Sequence, residues 1–447
     1  MILEEIDDEK GERKITCTEL SLTCKRLRDV VARNVFKTVR FSNDKRISDS
    51  ALAAATKYGH YIQKLEFVGF DPAAEDALPE VRAGRNHTLP PSAISLFEAP
   101  RDLLPNLQTF VISFDHDFGY SLGQRNNKRD GVGFFDTMET SWRVTSKEEA
   151  MTPRRALWAN TYRHLASNTT VSHLVIQNWP PRAVSVFATD SWKEHLGRLH
   201  IFEISVAGYK DPSSAPYQPV WSNTCPGYQR AIEKMGEYFF DHLASAKTVK
   251  ISAPTGFPIG SPVGSLYEIE RGYVQGILRE YFFLPLREKS MPAVEHLELS
   301  GFFISHDLAK WIIEHSRTLR KLVLTNAQSM AFHMIHHAPL MTLVYTWMEF
   351  FDALSAVKDL ALAQFEMTSY CRTERPWSGT FTDWVDLSDP KCNPANEKSE
   401  SFGYAHLSRD GNLQYLTVPS PNQHKKGADL AAYKRFMRKV EAAGKKQ

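Results

Sequence analysis

Cysteine is scarce in this chain of 447 residues. Five are present (Cys17, Cys24, Cys225, Cys371 and Cys392), and no two stand in C-x-x-C spacing. That pattern offers neither a disulfide framework nor a zinc knuckle, and it fits a reducing compartment, so cytoplasmic or nuclear residence is expected. Long apolar runs are also missing. The longest, around Phe350, is far short of a bilayer span, and no membrane association is expected. Met1-Ile-Leu-Glu-Glu-Ile6-Asp-Asp lacks the basic start and apolar stretch of a secretory signal. Without one, the sequons Asn86-His-Thr88 and Asn168-Thr-Thr170 read as chance matches. An excess of one charge is lacking as well: Lys+Arg 54 against Asp+Glu 52 leaves +2, which gives no reason to expect nucleic acid as a partner.

Catalytic signatures are absent too. No G-x-S-x-G, H-E-x-x-H or paired-carboxylate motif occurs. Gly256-Phe-Pro-Ile-Gly260-Ser-Pro-Val-Gly264 lacks the Gly-Lys-Ser/Thr ending of a phosphate cradle. His333-Met-Ile-His336-His337 would place two histidines on one helical face, but no further ligand is suitably spaced, and structural histidines are the expectation. No catalytic, cofactor-binding or metal-binding residue is therefore assigned. An enzyme with a cryptic site in the inserts described below is the least favoured alternative.

What the chain does contain is a recurring pattern, apolar-x-x-apolar-x-apolar. It is clear in Leu319-Arg-Lys-Leu322-Val-Leu324 and Val294-Glu-His-Leu297-Glu-Leu299. Ten copies have central positions 39, 65, 110, 174, 202, 249, 297, 322, 360 and 416, with gaps of 25 to 64 residues. The last two apolar positions of each copy share one face of a strand. Helix-like stretches separate several copies. Ser48 is read as capping one that ends at Gly59. Ser305 is read as capping another, with Leu308, Trp311, Ile312 and His315 on one face. Trp158, Tyr162 and Leu165 have the same spacing, as do Ile232, Met235, Phe239 and Leu243. The shortest gaps match a leucine-rich-repeat period, so the expected fold is α/β: an irregular leucine-rich-repeat-like solenoid, or horseshoe, over 35–423. Long inserts at 69–104, 115–153 and 366–411 interrupt it.

Residues between the buried strand positions would face the inner curve. Lys64, Glu66, His173, Gln177, Lys250, His296, Glu298, Lys321 and Tyr415 are the candidate contacts. Their mixed chemistry suits a protein substrate better than nucleic acid. The tail, 424–447, carries +6 while the rest carries −4. Leu430, Tyr433, Phe436, Met437 and Val440 predict a basic amphipathic helix covering the end of the repeat array; import signalling or an acidic partner is the sharper alternative.

Residues 18–41 include Leu20-Ser-Leu22-Thr-Cys24-Lys-Arg-Leu27-Arg and then Phe36-Lys-Thr-Val39-Arg-Phe41. This stretch resembles the C-terminal half of an F-box, as it stands before irregular leucine-rich arrays in fungal F-box proteins. The family's opening Leu-Pro-x-Glu is not found, so residues 1–34 read as an abbreviated, helical F-box-like segment or as one whose start is missing from this chain. The resemblance implies a substrate-recognition adaptor of an SCF-type (Skp–cullin–F-box) E3 ubiquitin ligase. It implies a Skp-family adaptor and a cullin scaffold as partners, with Leu20, Leu22, Cys24, Leu27 and Val31 contacting the adaptor. The alternative is a leucine-rich interaction scaffold with no ligase role.

Overall fold

The computed structural model describes residues 32–70, 89–114, 142–151, 153–207, 226–253, 259–260, 284–333, 341–343, 345–369, 402, 404–407, 413–416 and 427–445. They fall into two compact units. The first takes in those within 1–118, 146–177 and 184–195, and the second those within 119–145, 178–183 and 196–447. Nine strands form an all-parallel sheet: β1 (Thr38–Ser42), β2 (Lys64–Gly69), β3 (Thr109–Phe114), β4 (His173–Trp179), β5 (Ile201–Val206), β6 (Thr248–Ser252), β7 (His296–Ser300), β8 (Lys321–Ala327) and β11 (Gln364–Ser369). A second, four-stranded sheet has the order β10-β9-β12-β13, from β9 (Ser329–His333), β10 (Met341–Leu343), β12 (Tyr404–Leu407) and β13 (Leu413–Leu416).

The α/β class is as expected, but the leucine-rich-repeat-like solenoid is not what forms. A nine-stranded parallel sheet with helices in its connections takes its place, beside a mixed sheet that no repeat unit predicts. The physical reason lies in the pattern itself. Apolar-x-x-apolar-x-apolar asks only for a strand with one buried face, which any helix-covered parallel sheet supplies. A solenoid also needs a constant repeat, and gaps of 25 to 64 residues do not provide one.

In the first unit, Val39, Phe41, Leu65, Phe67, Phe110, Ile112, Leu174 and Ile176 are buried on one side of β1–β4. The helices here are α1 (Lys45–Tyr58), α2 (Pro91–Glu98) and α4 (Pro153–Ala166), while α3 (Trp142–Met151) and α5 (Asp190–Gly197) each have residues in both units. Phe97 of α2 sits among Phe41, Phe67 and Phe110, with ring centroids 5.2, 4.8 and 5.1 Å away. At the start of α1 the cap is Asp44, whose Oδ1 accepts from the amides of Arg46 (2.9 Å) and Ile47 (3.0 Å). Ser48 is therefore not the cap. It lies one turn inside the helix, buried, and donates to the Ser42 carbonyl. Gly59 does stand at the end of α1, as its C-cap, but without a left-handed turn, since its φ is −53°. Its missing side chain leaves room for the backbone carbonyl of Leu103, which a Cβ would strike.

In the second unit the helices are α6 (Pro226–Tyr238), α7 (His306–Glu314), α8 (Trp347–Ala356) and α9 (Ala428–Gly444). Ser305 does cap α7, accepting from Leu308 N at 3.1 Å, and Leu308, Trp311 and Ile312 are buried. Thr346 and Glu349 form a reciprocal capping box at the start of α8. The basic tail folds as α9 and buries Ala432, Tyr433, Phe436 and Val440. Phe351 of α8 and Phe365 of β11 meet Phe436 at 5.5 and 5.0 Å. Arg435 pairs with Asp352 at 2.6 Å, and Met348 N donates to Asp429 at 2.8 Å. Thus α9 covers the last parallel strand, as a solvated covering helix should.

Eight copies of the pattern fall on strands of the parallel sheet, one overlaps a strand of the other sheet, and one misses its strand. Val357, Leu360 and Leu362 precede β11. The strand uses the next overlapping match, Leu362-Ala-Gln-Phe365-Glu-Met367, whose last two apolar residues are buried. Leu413 and Leu416 belong to β13 of the other sheet. His333 ends β9 rather than opening a helix, and 334–340 lie outside the described residues. Among the described residues, no helix is long and apolar enough to cross a membrane.

Candidate functional site

A parallel sheet normally buries both faces. Here the strands alternate, with fully buried residues on one side and polar, half-buried or exposed residues on the other. The second unit shows it most clearly. Its strand register aligns three rows on the polar side. The first is Ile201, Thr248, His296, Lys321 and Gln364. The second is Glu203, Lys250, Glu298, Val323 and Glu366. The third is Ser205, Ser252, Ser300, Thr325 and Thr368. Strand periodicity alone puts residues i, i+2 and i+4 of each strand on this side, and the parallel register brings like positions together.

The charges in these rows are paired across strands. Lys250 Nζ lies 3.4 Å from Glu203 and 3.9 Å from Glu298, and Lys321 Nζ lies 2.8 Å from Glu366. His296 adjoins Lys321 in register. Burial, and after it the positive charge of Lys321, holds His296 below its ordinary pKa of 6.5, with Glu298 opposing. Its Nε2 is buried without a hydrogen-bond partner.

In the first unit the matching rows run Thr38, Lys64, Thr109, His173 and then Arg40, Glu66, Val111, Val175. Glu66 accepts from Lys64 at 2.7 Å and pairs with Arg40. Burial alone would raise the Glu66 carboxyl, but these two cations outweigh it and hold the group below its usual value. Thr109 Oγ1 and His173 Nδ1 are 3.3 Å apart, and Gln177 is exposed further along β4.

Eight of the nine expected contact residues therefore lie on the polar side of parallel strands. Lys64, Glu66, His173 and Gln177 are in the first unit; Lys250, His296, Glu298 and Lys321 are in the second. Tyr415 does not join them. It lies in β13, opposite Ala405 of β12, in the four-stranded sheet. Leu20, Leu22, Cys24, Leu27 and Val31 lie outside the described residues. Arg40, Glu203 and Glu366 were missed. For Glu203 the signal was present, since it stands between the pattern residues Phe202 and Ile204. Glu366 was hidden by the misplaced ninth copy.

Among the described residues no group of three or more His, Cys, Asp or Glu side chains is placed to hold a metal ion. The sequon residue Asn168 is fully buried, and the Nδ2 that would carry a glycan donates to the Phe97 carbonyl at 2.8 Å. No family model, curated protein or solved structure matches the chain.

Proposed function

We propose that the chain is a non-catalytic protein-recognition module, the substrate-binding part of an SCF-type ubiquitin ligase adaptor. One observation carries the recognition half: aligned rows of paired charges and hydroxyls on the polar side of the parallel strands. Such rows are costly to bury without a polar partner and cheap to rearrange at a surface, since exposed ion pairs contribute only about 0–1 kcal/mol each. A folded or extended polypeptide can exchange these pairs for its own. The ligase half rests on the F-box resemblance of residues 18–41. In such an adaptor the chemistry resides on another subunit, and the adaptor contributes proximity.

Co-purification with a Skp-family adaptor tests the ligase half. Capture by the wild-type chain, lost on Leu20→Asp with Leu27→Asp, is the expected result. Failure of capture withdraws the ligase role and leaves a scaffold. Charge reversal at Glu298 and Lys321 tests the recognition half: a cross-linked protein partner should be lost while the chain stays folded. Undiminished cross-linking moves recognition away from the sheet.

A further inference from the structure

We infer that the polar side of β5–β8 and β11 binds an extended, polyproline-II-like segment carrying a basic residue at every third position; this rests on the protein-recognition reading above. The middle row places carboxylates on alternate strands: Glu203 on β5, Glu298 on β7 and Glu366 on β11, with β6 and β8 between. Neighbouring strands lie about 4.8 Å apart, so these carboxylates recur about every 9.6 Å. A polyproline-II chain has three residues per turn and rises about 9.3 Å per turn, which puts every third side chain on one face at nearly that interval. An α-helix or a β-strand presents no such match, since their same-face repeats are about 5.4 and 6.7 Å.

Charge points the same way. The rows hold three carboxylates against two ammonium groups, and both lysines are already engaged, Lys250 by Glu203 and Glu298 and Lys321 by Glu366. Glu366 is the most open of the three carboxylates, with 61% of its side chain exposed. A guanidinium fork can bind a carboxylate through two parallel hydrogen bonds, which a lysine ammonium cannot, so arginine is the fitting cation. The third row supplies the remaining chemistry. Five consecutive strands carry a hydroxyl two residues beyond the charged row, from Ser205 to Thr368. A polyproline-II backbone makes no internal hydrogen bonds, so its carbonyls are free to accept from such a row.

The test is fluorescence polarisation on the full chain with two labelled peptides of one composition. In one, arginine recurs at every third position among prolines and serines; in the other, the arginines are contiguous. The periodic peptide should bind about tenfold more tightly at physiological salt, and Glu298→Gln or Glu366→Gln should each remove about tenfold of that affinity, the scale of one charge-assisted pair. Unaltered circular dichroism of both variants establishes that they fold. Equal affinity for the two peptides, or affinity indifferent to both substitutions, overturns the inference. So does a dimer in sedimentation that Glu298→Gln dissociates, because a second copy would then be the occupant. If neither peptide binds but the charge reversal still abolishes cross-linking, this segment chemistry fails alone. If both fail, the protein-recognition reading falls with it.

Discussion

Replacing Asn168 by alanine isolates one buried polar joint in the first unit. The Asn168 side chain is fully buried and closes four hydrogen bonds. It donates to the Phe97 carbonyl at 2.8 Å. Its Oδ1 accepts from Thr170 N (3.0 Å), Thr170 Oγ1 (3.0 Å) and Val171 N (3.1 Å). It thereby ties the end of α2 to the turn that leads into β4. Thr170 is half-buried and can turn to water, but Phe97 and Val171 are buried. Two backbone groups are then stranded, at about 1–3 kcal/mol each, so Asn168→Ala should cost about 3 kcal/mol. Asn168→Asp keeps the shape and the acceptor but turns a carboxylate towards the Phe97 carbonyl, so it should also destabilise, by about 2 kcal/mol. Urea unfolding followed by the fluorescence of Trp158 and Trp192, both buried in the same unit, reads both variants. If both unfold within about 0.5 kcal/mol of wild type, the range of neutral surface changes, the joint carries no weight and the reasoning fails.

Two further outcomes follow from the same kind of argument. His296 has a folded-state pKa below 6.5, so the unfolded chain takes up its proton first, and stability should fall as pH drops from that value through the folded pKa. His296→Gln should flatten that part of the stability–pH curve, and Lys321→Met should raise the His296 pKa seen by NMR; a curve unchanged by His296→Gln refutes the assignment. Phe436→Ala removes a fully buried ring stacked on Phe351 and edge-on to Phe365, and should cost about 3–5 kcal/mol. Hydrogen exchange should then show α9 opening before the rest of its unit; uniform exchange would mean that α9 is held by its ion pair with Asp352 instead.

The strands were largely legible because their signal is local. Phe202, Ile204, Leu297 and Leu299 alternate with polar residues, and that alternation is a property of the strand itself. Leu360 and Leu362 show the limit of this signal. Two overlapping matches, one at Leu360 and one at Phe365, satisfy the same pattern, and only packing against β8 and α9 selects the second. Cap identity was equally ambiguous where two candidates stood close together. Ser48 and Asp44 are both good capping residues, and the buried Ser42 carbonyl that claims Ser48 is visible only in the fold.

By itself, the sequence determined the α/β class, eight of the nine parallel strands, the basic amphipathic helix at the C-terminus, and which strand residues are polar. Each of these depends on spacings of a few residues along the chain. Only the tertiary structure decided that the strands form one parallel sheet of nine rather than a leucine-rich horseshoe, that Tyr415 belongs elsewhere, and that Glu203, Glu298 and Glu366 stand in one row. Those are matters of register between segments tens of residues apart, which no local pattern encodes. Lys250 is paired with Glu203 because β5 and β6 align in space, 47 positions apart in sequence.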